Sequence, residues 1–524
     1  MITLALAAML VVPVAGSASA GGKPERGGAN GAFVPTSLID SATANPDRLF
    51  DVIVQGDKSG EEAADAATSQ NGHVKRRFLT VAGAEALVSG KDLLKLARHP
   101  HVTAITPNTK VKSASYQDST MWQDSTDLSI LQKAVDPATG TILGPAPQAP
   151  AIAIVDSGVE PRADFGARLV ASVNLCSLCA PGATGDDEGH GTMVAGIAAG
   201  ASALYPGGAQ NAPIVSIRTA DANGQSTTSD VIAAADWIRA HAKEYGIRVA
   251  NFSLRGSAET SFRFDPLDKA VEALWFDGVV VVAAAGNQGT GTGPVNMSYA
   301  PGNDPFVITV GALDQNGTAD PTNDTAPSWS AYGTTMDGFS KPDLSAPGRY
   351  MVGPVPASST LATTAPDRIV APGYMWMSGT SFAAPIVSAA AAQLLARHPN
   401  LTPDQVKGAL MLAANYLPMA GENSVGVGEI DAGVASTIDL PPNPEEGFKP
   451  FIVTDLLTGA RSFNEASWAS FVATNASWSQ ASWASASWAS ASWSTASWAS
   501  ASWSQASWAS NVASMMMPLA SWAE

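Results

Sequence analysis

A serine hydroxyl becomes a nucleophile only beside a base, a group that orients the base and a donor for the developing oxyanion. Four short stretches of this 524-residue chain supply those types. Gly379-Thr380-Ser381 opens an Ala/Leu-rich stretch that reads as a helix to about His398, with Pro385 in its first turn. Ser381 therefore stands where unpaired backbone N–H groups and the positive helix end favour negative charge. Asp156 follows the apolar run Ala151 to Val155, and His190 lies between two glycines at the head of a small-residue helix. Gly286-Asn287 closes the run Val279 to Ala285 and offers a side-chain amide. Together these residues suit acyl transfer. Ser381 attacks, His190 carries the proton, Asp156 holds the imidazole, and Asn287 with the Ser381 N–H donates to the oxyanion. Singly, each reads as a cap or turn residue. His241 and His398, however, fall in or at the end of helical stretches, so only His190 has a glycine-flanked, strand-to-helix setting.

The elements that must position these groups alternate in type from Ala149 onward. Ala151 to Val155, Ile214 to Arg218, Val249 to Ser253, Val279 to Ala285 and Phe306 to Val310 read as strands. Gly191 to Gly200, Ser229 to Tyr245, Pro266 to Phe276, Phe382 to His398 and Thr402 to Ala413 read as helices. Nearly continuous apolar strands separated by helices predict an α/β domain whose parallel sheet is covered on both faces. Reactive groups then belong at the carboxyl ends of strands, where Asp156 and Asn287 fall.

Composition narrows the class further. A formal net charge of −17 argues against a nucleic-acid partner, which a basic face would recognise. Met1 to Ala20 carries an apolar run and Ala18-Ser19-Ala20, as a cleaved export signal does, although no Lys or Arg precedes the run. Cys176 and Cys179 are the sole cysteines and predict a local disulfide in an exported protein. Residues 21–48 read as a loose leader. Strands Leu49 to Gln55, Phe78 to Ala84 and Val102 to Pro107, with helices Gly60 to Ala67 and Gly90 to His99, then form a small α+β unit over 49–113.

"AIAIVDSGVEP", "GHGTMVAGIAAG", "VVVAAAGNQG", "KPDLSAPG" and "GTSFAAPIVSAAAAQLL" resemble, in order, the signature blocks of the subtilisin-like serine proteases. The resemblance covers about 120–437. It implies a secreted endopeptidase with Asp156, His190, Asn287 and Ser381 in the roles given above and no cofactor needed for the chemistry. Polypeptide substrates would bind extended along Ser253, Leu254 and Gly256, pairing with the edge of "NFSLRG", with Ala284, Ala285 and Gly286 forming the facing wall. Arg255 departs from the usual glycine, and its guanidinium is expected over the cleft. The small unit, by its late "HPHVTAITPN" strand, resembles an inhibitor-like prodomain, implying a self-inhibited precursor cut between Asn108 and Met121; a substrate-binding module is the alternative. Calcium is common in such proteins, yet no contiguous run of oxygen ligands marks a site, and Asp186 and Asp187 read as a charged loop.

The peptidase domain is expected over 120–440, followed by a linker at 441–465 and a tail over 466–524. In that tail Ala-Ser-Trp places tryptophan at 478, 483, 488, 493, 498, 503 and 508. A period of five suits neither a helix face nor a strand face. Disorder or self-association, attachment to a surface or wall, and a short-repeat solenoid remain open for it. An inactive relative that works as a binding protein through this tail is the reading from another class; the presence of every expected catalytic position favours the enzyme.

Overall fold

The computed structural model describes residues 31–78, 81–108, 120–135, 142–421 and 423–474. The expected export signal, the 110–117 segment and the Trp repeat from 478 onward lie outside the described residues. The chain divides into Met1–Ser113 and Ala114–Glu524.

In the first unit an antiparallel sheet runs in the order His73–Arg77, Gly83–Ser89, Leu49–Gly56, Val102–Pro107. Alternation in Leu49–Gly56 buries Val52 and Val54 beneath the helices Gly60–Ser69 and Gly90–Leu96. Ser59 and Ser89 cap those helices, accepting from Glu62 N and Asp92 N. Two expectations change. The strand expected at Phe78 to Ala84 is replaced by strands on either side of it; the missed one, His-Val-Lys-Arg-Arg, is an exposed edge strand with no apolar alternation to read. The expected loose leader includes the helix Thr36–Ala44, which buries Leu38 and Ala42 in this unit's core.

The second unit is built on a seven-stranded sheet in the order Leu344–Pro347, Ile308–Leu313, Val280–Ala284, Ile247–Phe252, Ala151–Asp156, Ile214–Arg218, Leu169–Asn174. Every pairing is parallel. All residues of Ala151–Asp156, Val280–Ala284 and Ile308–Leu313 are buried, as strands covered on both faces must be. The helices His190–Ala199 and Thr380–Arg397 pack on one another, and Thr228–Tyr245 packs on Pro266–Phe276. Strand order reverses direction between Ala151–Asp156 and Ile247–Phe252, the switch point at which an open α/β sheet leaves a crevice. Among the described residues, no helix is long and apolar enough to cross a membrane.

Residues 441–465 are not a bare linker. They form strands Ile452–Thr454 and Arg461–Phe463, and Phe448 and Phe463 are buried in the main core. Trp468, the first Ala-Ser-Trp tryptophan, sits on the helix Glu465–Thr474 and packs edge-on to Phe262 at 5.5 Å. The aromatic residues scattered through this stretch supply the apolar area that an unstructured connection would lack.

Candidate active site

Asp156 is the last residue of the central strand Ala151–Asp156, at the crevice end of the sheet. Its Oδ1 lies 2.7 Å from His190 Nδ1. His190 opens the helix His190–Ala199 because Gly189 takes φ +99°, a left-handed turn where a side chain would also collide with Ser359 Oγ. Asp186 fixes that turn. Its carboxylate accepts from Ser157 Oγ at 2.8 Å, Gly189 N at 2.7 Å, Thr192 N at 2.8 Å and Thr192 Oγ1 at 2.6 Å. The supposed charged loop is therefore divided: Asp186 is a buried acceptor, while Asp187 is half exposed and pairs with the buried Arg218 at 2.8 Å.

Ser381 is the second residue of the helix Thr380–Arg397. Its hydroxyl donates to Ser253 O at 3.2 Å, and Ser253 Oγ donates back to Ser381 O at 2.7 Å. The strand Ile247–Phe252 thus delivers Ser253 against the helix start. The next residue, Phe382, places its ring 5.2 Å from the His190 ring, while the Ser381 hydroxyl itself is directed to Ser253 O rather than to the imidazole. Asn287 is oriented by its carbonyl oxygen, which accepts from Thr380 N at 2.9 Å and Thr380 Oγ1 at 3.1 Å. That turns Nδ2 toward the Gly379 turn, 3.2 Å from where a Cβ on Gly379 would stand. Thr380, unremarked in the sequence, ties both sides together, since its Oγ1 also accepts from Gly286 N at 3.0 Å.

A cavity of about 210 Å³ opens beside the pair and is lined by Asp156, His190, Glu188, Ser253, Leu254 and Arg255 among others. Arg255 lays its guanidinium over the Tyr299 ring at 4.5 Å. Gly256 N donates to Ala300 O at 2.7 Å, so that N–H is already committed. Ala284, Ala285 and Gly286, expected as the facing wall, are not among the residues that line this cavity, and Ala284 and Ala285 are buried. Cys176 and Cys179 are joined in a disulfide, and Cys179 Sγ contacts Ala220 O beside the same cavity.

Charge here is unbalanced. Burial pushes the His190 imidazolium down, but the Asp156 charge and hydrogen bond, helped by Glu188 and Asp186, more than offset that and raise it to about 9. Burial lifts Glu188 to about 7 against the pull of His190. Glu188 was passed over in the sequence; its signal is an acid two residues before a glycine-flanked histidine.

A second buried polar cluster closes the far part of this core. Lys407 Nζ is held by the carbonyls of Pro305 at 2.7 Å, Phe306 at 3.3 Å and Val307 at 3.2 Å. Glu445 at 2.8 Å and Asp343 at 3.3 Å neutralise it, and Lys341 joins Asp343 at 2.9 Å. An ammonium fills this cage of oxygens. In the first unit Asp57, Glu62 and His101 bring their ligand atoms within 4.8 Å of one another, with the imidazole 3.4 and 3.3 Å from the two acids.

Residues 148–429 match the model described as the subtilase family. The chain is 34% identical over 294 residues to the serine protease AprX of Bacillus subtilis (strain 168), covering 54% of this chain and 64% of that protein. It is 32% identical over 348 residues to the extracellular serine proteinase of Thermus sp. (strain Rt41A), covering 65% of this chain and 73% of that protein. A crystal structure of a cold adapted subtilisin-like serine proteinase aligns over 61% of this chain and 97% of that one, at 27% identity and a TM-score of 0.43.

Proposed function

The chain belongs to the subtilase family, and from that premise we propose that it is a serine endopeptidase whose acyl-enzyme forms on Ser381. The observation that carries this reading is the 2.7 Å Asp156–His190 contact standing beside the helix whose second residue is Ser381. A polypeptide lies extended along Ser253 and Leu254, which brings its carbonyl to the serine. The Ser381 hydroxyl gives up Ser253 O, passes its proton to His190 Nε2 and bonds to the carbonyl carbon. Asn287 Nδ2 and the Ser381 N–H receive the oxyanion. Asp156 keeps Nδ1 protonated and steadies the imidazolium, which then protonates the departing amine. Water, deprotonated by His190, releases the acid and restores the serine.

The same reading extends to the whole chain. The small α+β unit serves as an intramolecular inhibitor in a precursor, the enzyme is exported, and the Trp-rich tail meets a surface or another copy. The names of the relatives, one an extracellular proteinase, support export. A fluorophosphonate probe tests the central claim: labelling of the matured protein that disappears in Ser381→Ala is expected. Matured protein that takes no label would mean a binding protein instead, and mass spectrometry of the secreted material reads both mature ends.

A further inference from the structure

In the first unit one imidazole nitrogen faces two carboxylates at once. His101 Nδ1 lies 3.4 Å from Asp57 Oδ2 and 3.3 Å from Glu62 Oε1, and the ligand atoms of the three residues all fall within 4.8 Å of one another. The residues come from separate elements. Asp57 directly follows the strand Leu49–Gly56, Glu62 stands in the first turn of the helix Gly60–Ser69, and His101 directly precedes the strand Val102–Pro107. Backbone contacts hold all three in place: Asp57 N donates to His101 O at 3.2 Å, Glu62 N to Ser59 Oγ at 3.2 Å, and His101 N to His99 Nδ1 at 3.4 Å. The second oxygen of Glu62, Oε2, is sealed from solvent and has no donor.

A hydrogen bond does not account for this arrangement. Nδ1 carries at most one hydrogen, and a charge-assisted bond from it closes to about 2.7–2.9 Å on a single acceptor. His190 behaves in that way, with Asp156 at 2.7 Å. At His101 neither carboxylate closes, and the nitrogen stays nearly equidistant from both. Ligands held tetrahedrally at about 2.0–2.1 Å from a metal stand about 3.3–3.4 Å apart, which is the spacing of both pairs here. We propose that Asp57, Glu62 and His101 form a binding site for a divalent transition metal of the zinc class. The imidazole selects such an ion over calcium, which takes oxygen ligands, and the two carboxylates neutralise its charge. Three protein ligands leave one position for solvent, which the exposure of Asp57 and His101 admits. Lys58 reaches Glu62 Oε1 at 3.5 Å from a largely exposed position and swings into solvent as the ion enters. The bound ion clamps the end of one strand, the first turn of a helix and the start of a second strand.

The test uses the full chain carrying Ser381→Ala to prevent self-digestion, stripped with EDTA and titrated with ZnCl2. His101→Gln and Glu62→Gln are made in that background. Titration calorimetry should count one more zinc ion in the parent than in His101→Gln. Glu62→Gln should weaken that site by more than about 100-fold, beyond the cost of losing a residue that only supports a ligand. Cobalt(II) added to the parent should give the visible absorption of a four-coordinate site, and His101→Gln should abolish it. Zinc should also slow amide exchange at 57–62 and 99–103 in the parent and leave it unchanged in His101→Gln. Equal zinc counts and equal cobalt spectra in the three proteins would overturn the site, as would a parent that takes up no zinc. Should the variants fail to fold, a zinc-soaked crystal of the parent decides: anomalous density between the three side chains supports the site, and its absence at saturation refutes it.

Discussion

Two buried polar clusters in the second unit handle charge in opposite ways. Around His190 stand Asp156, Asp186 and Glu188, three acids to one base, beside an open cavity. Around Lys407 the count is even, Lys341 and Lys407 against Asp343 and Glu445, with every group sealed from solvent. Burial raises Glu188 and the surplus of acid raises His190, leaving groups that change protonation between about 7 and about 9. In the cage, burial pulls Asp343 up, but the two ammoniums more than offset it and hold it low. A cluster becomes reactive where its charges are left uneven and reachable, and structural where they cancel out of reach.

The largest expected effect removes the reactive cluster's output. Ser381→Ala should lower kcat about 10⁶-fold, a figure carried over from subtilisin, without changing the unfolding temperature by more than a degree or two. Active-site titration and calorimetry on one preparation would show whether activity and stability separate in this way. The cage should respond in reverse. Lys407→Met leaves Asp343 and Glu445 unpaired in the interior and should cost about 3–5 kcal/mol in chemical denaturation. Adding Glu445→Gln should recover part of that loss, and a null effect of the single change would mean the cage is not closed.

Glu188→Gln sharpens the contrast by evening the charge at the reactive cluster. Since His190 must be neutral to act as base, a value raised to about 9 withholds activity at neutral pH. Removing one of the acids lowers that value, so kcat/KM at pH 7 should rise several-fold and the acid limb of the profile should move down. The stability linkage has the opposite sense. With a folded value above the usual 6.5 of a free imidazole, the His190 interactions contribute fully below 6.5 and are lost as pH rises through about 9. An unmoved acid limb would show that Glu188 does not act on His190. The smallest effect belongs to Arg255→Gly, which should alter side-chain preference in a peptide library while leaving kcat on a good substrate nearly unchanged.

How much of this was legible in the chain differs from one group to the next. Asp156, His190, Asn287 and Ser381 could be found because each stands at a strand tip or helix start marked by its own glycines and small residues. The strand periodicity likewise predicted a parallel sheet, and the crevice follows from it. Asp186 was read as solvated charge, yet its four hydrogen bonds organise the His190 turn, and its burial depends on Ser157 and Thr192 arriving from two different elements. The 441–465 stretch reads as a linker because Pro441-Pro442-Asn443-Pro444 marks a boundary; its Phe448 and Phe463 find their partners only in the finished core.

By itself the sequence determined the alternation of strands and helices, the candidates for the reacting groups and the order in which the chain reaches them, since all of these depend on neighbours a few residues away. The tertiary structure alone decided which acids surround His190 and that Lys407 caps the carbonyls of 305–307. The reason is that the energy of a buried charge is set by groups brought together across the fold, and no local pattern of residue types records that meeting.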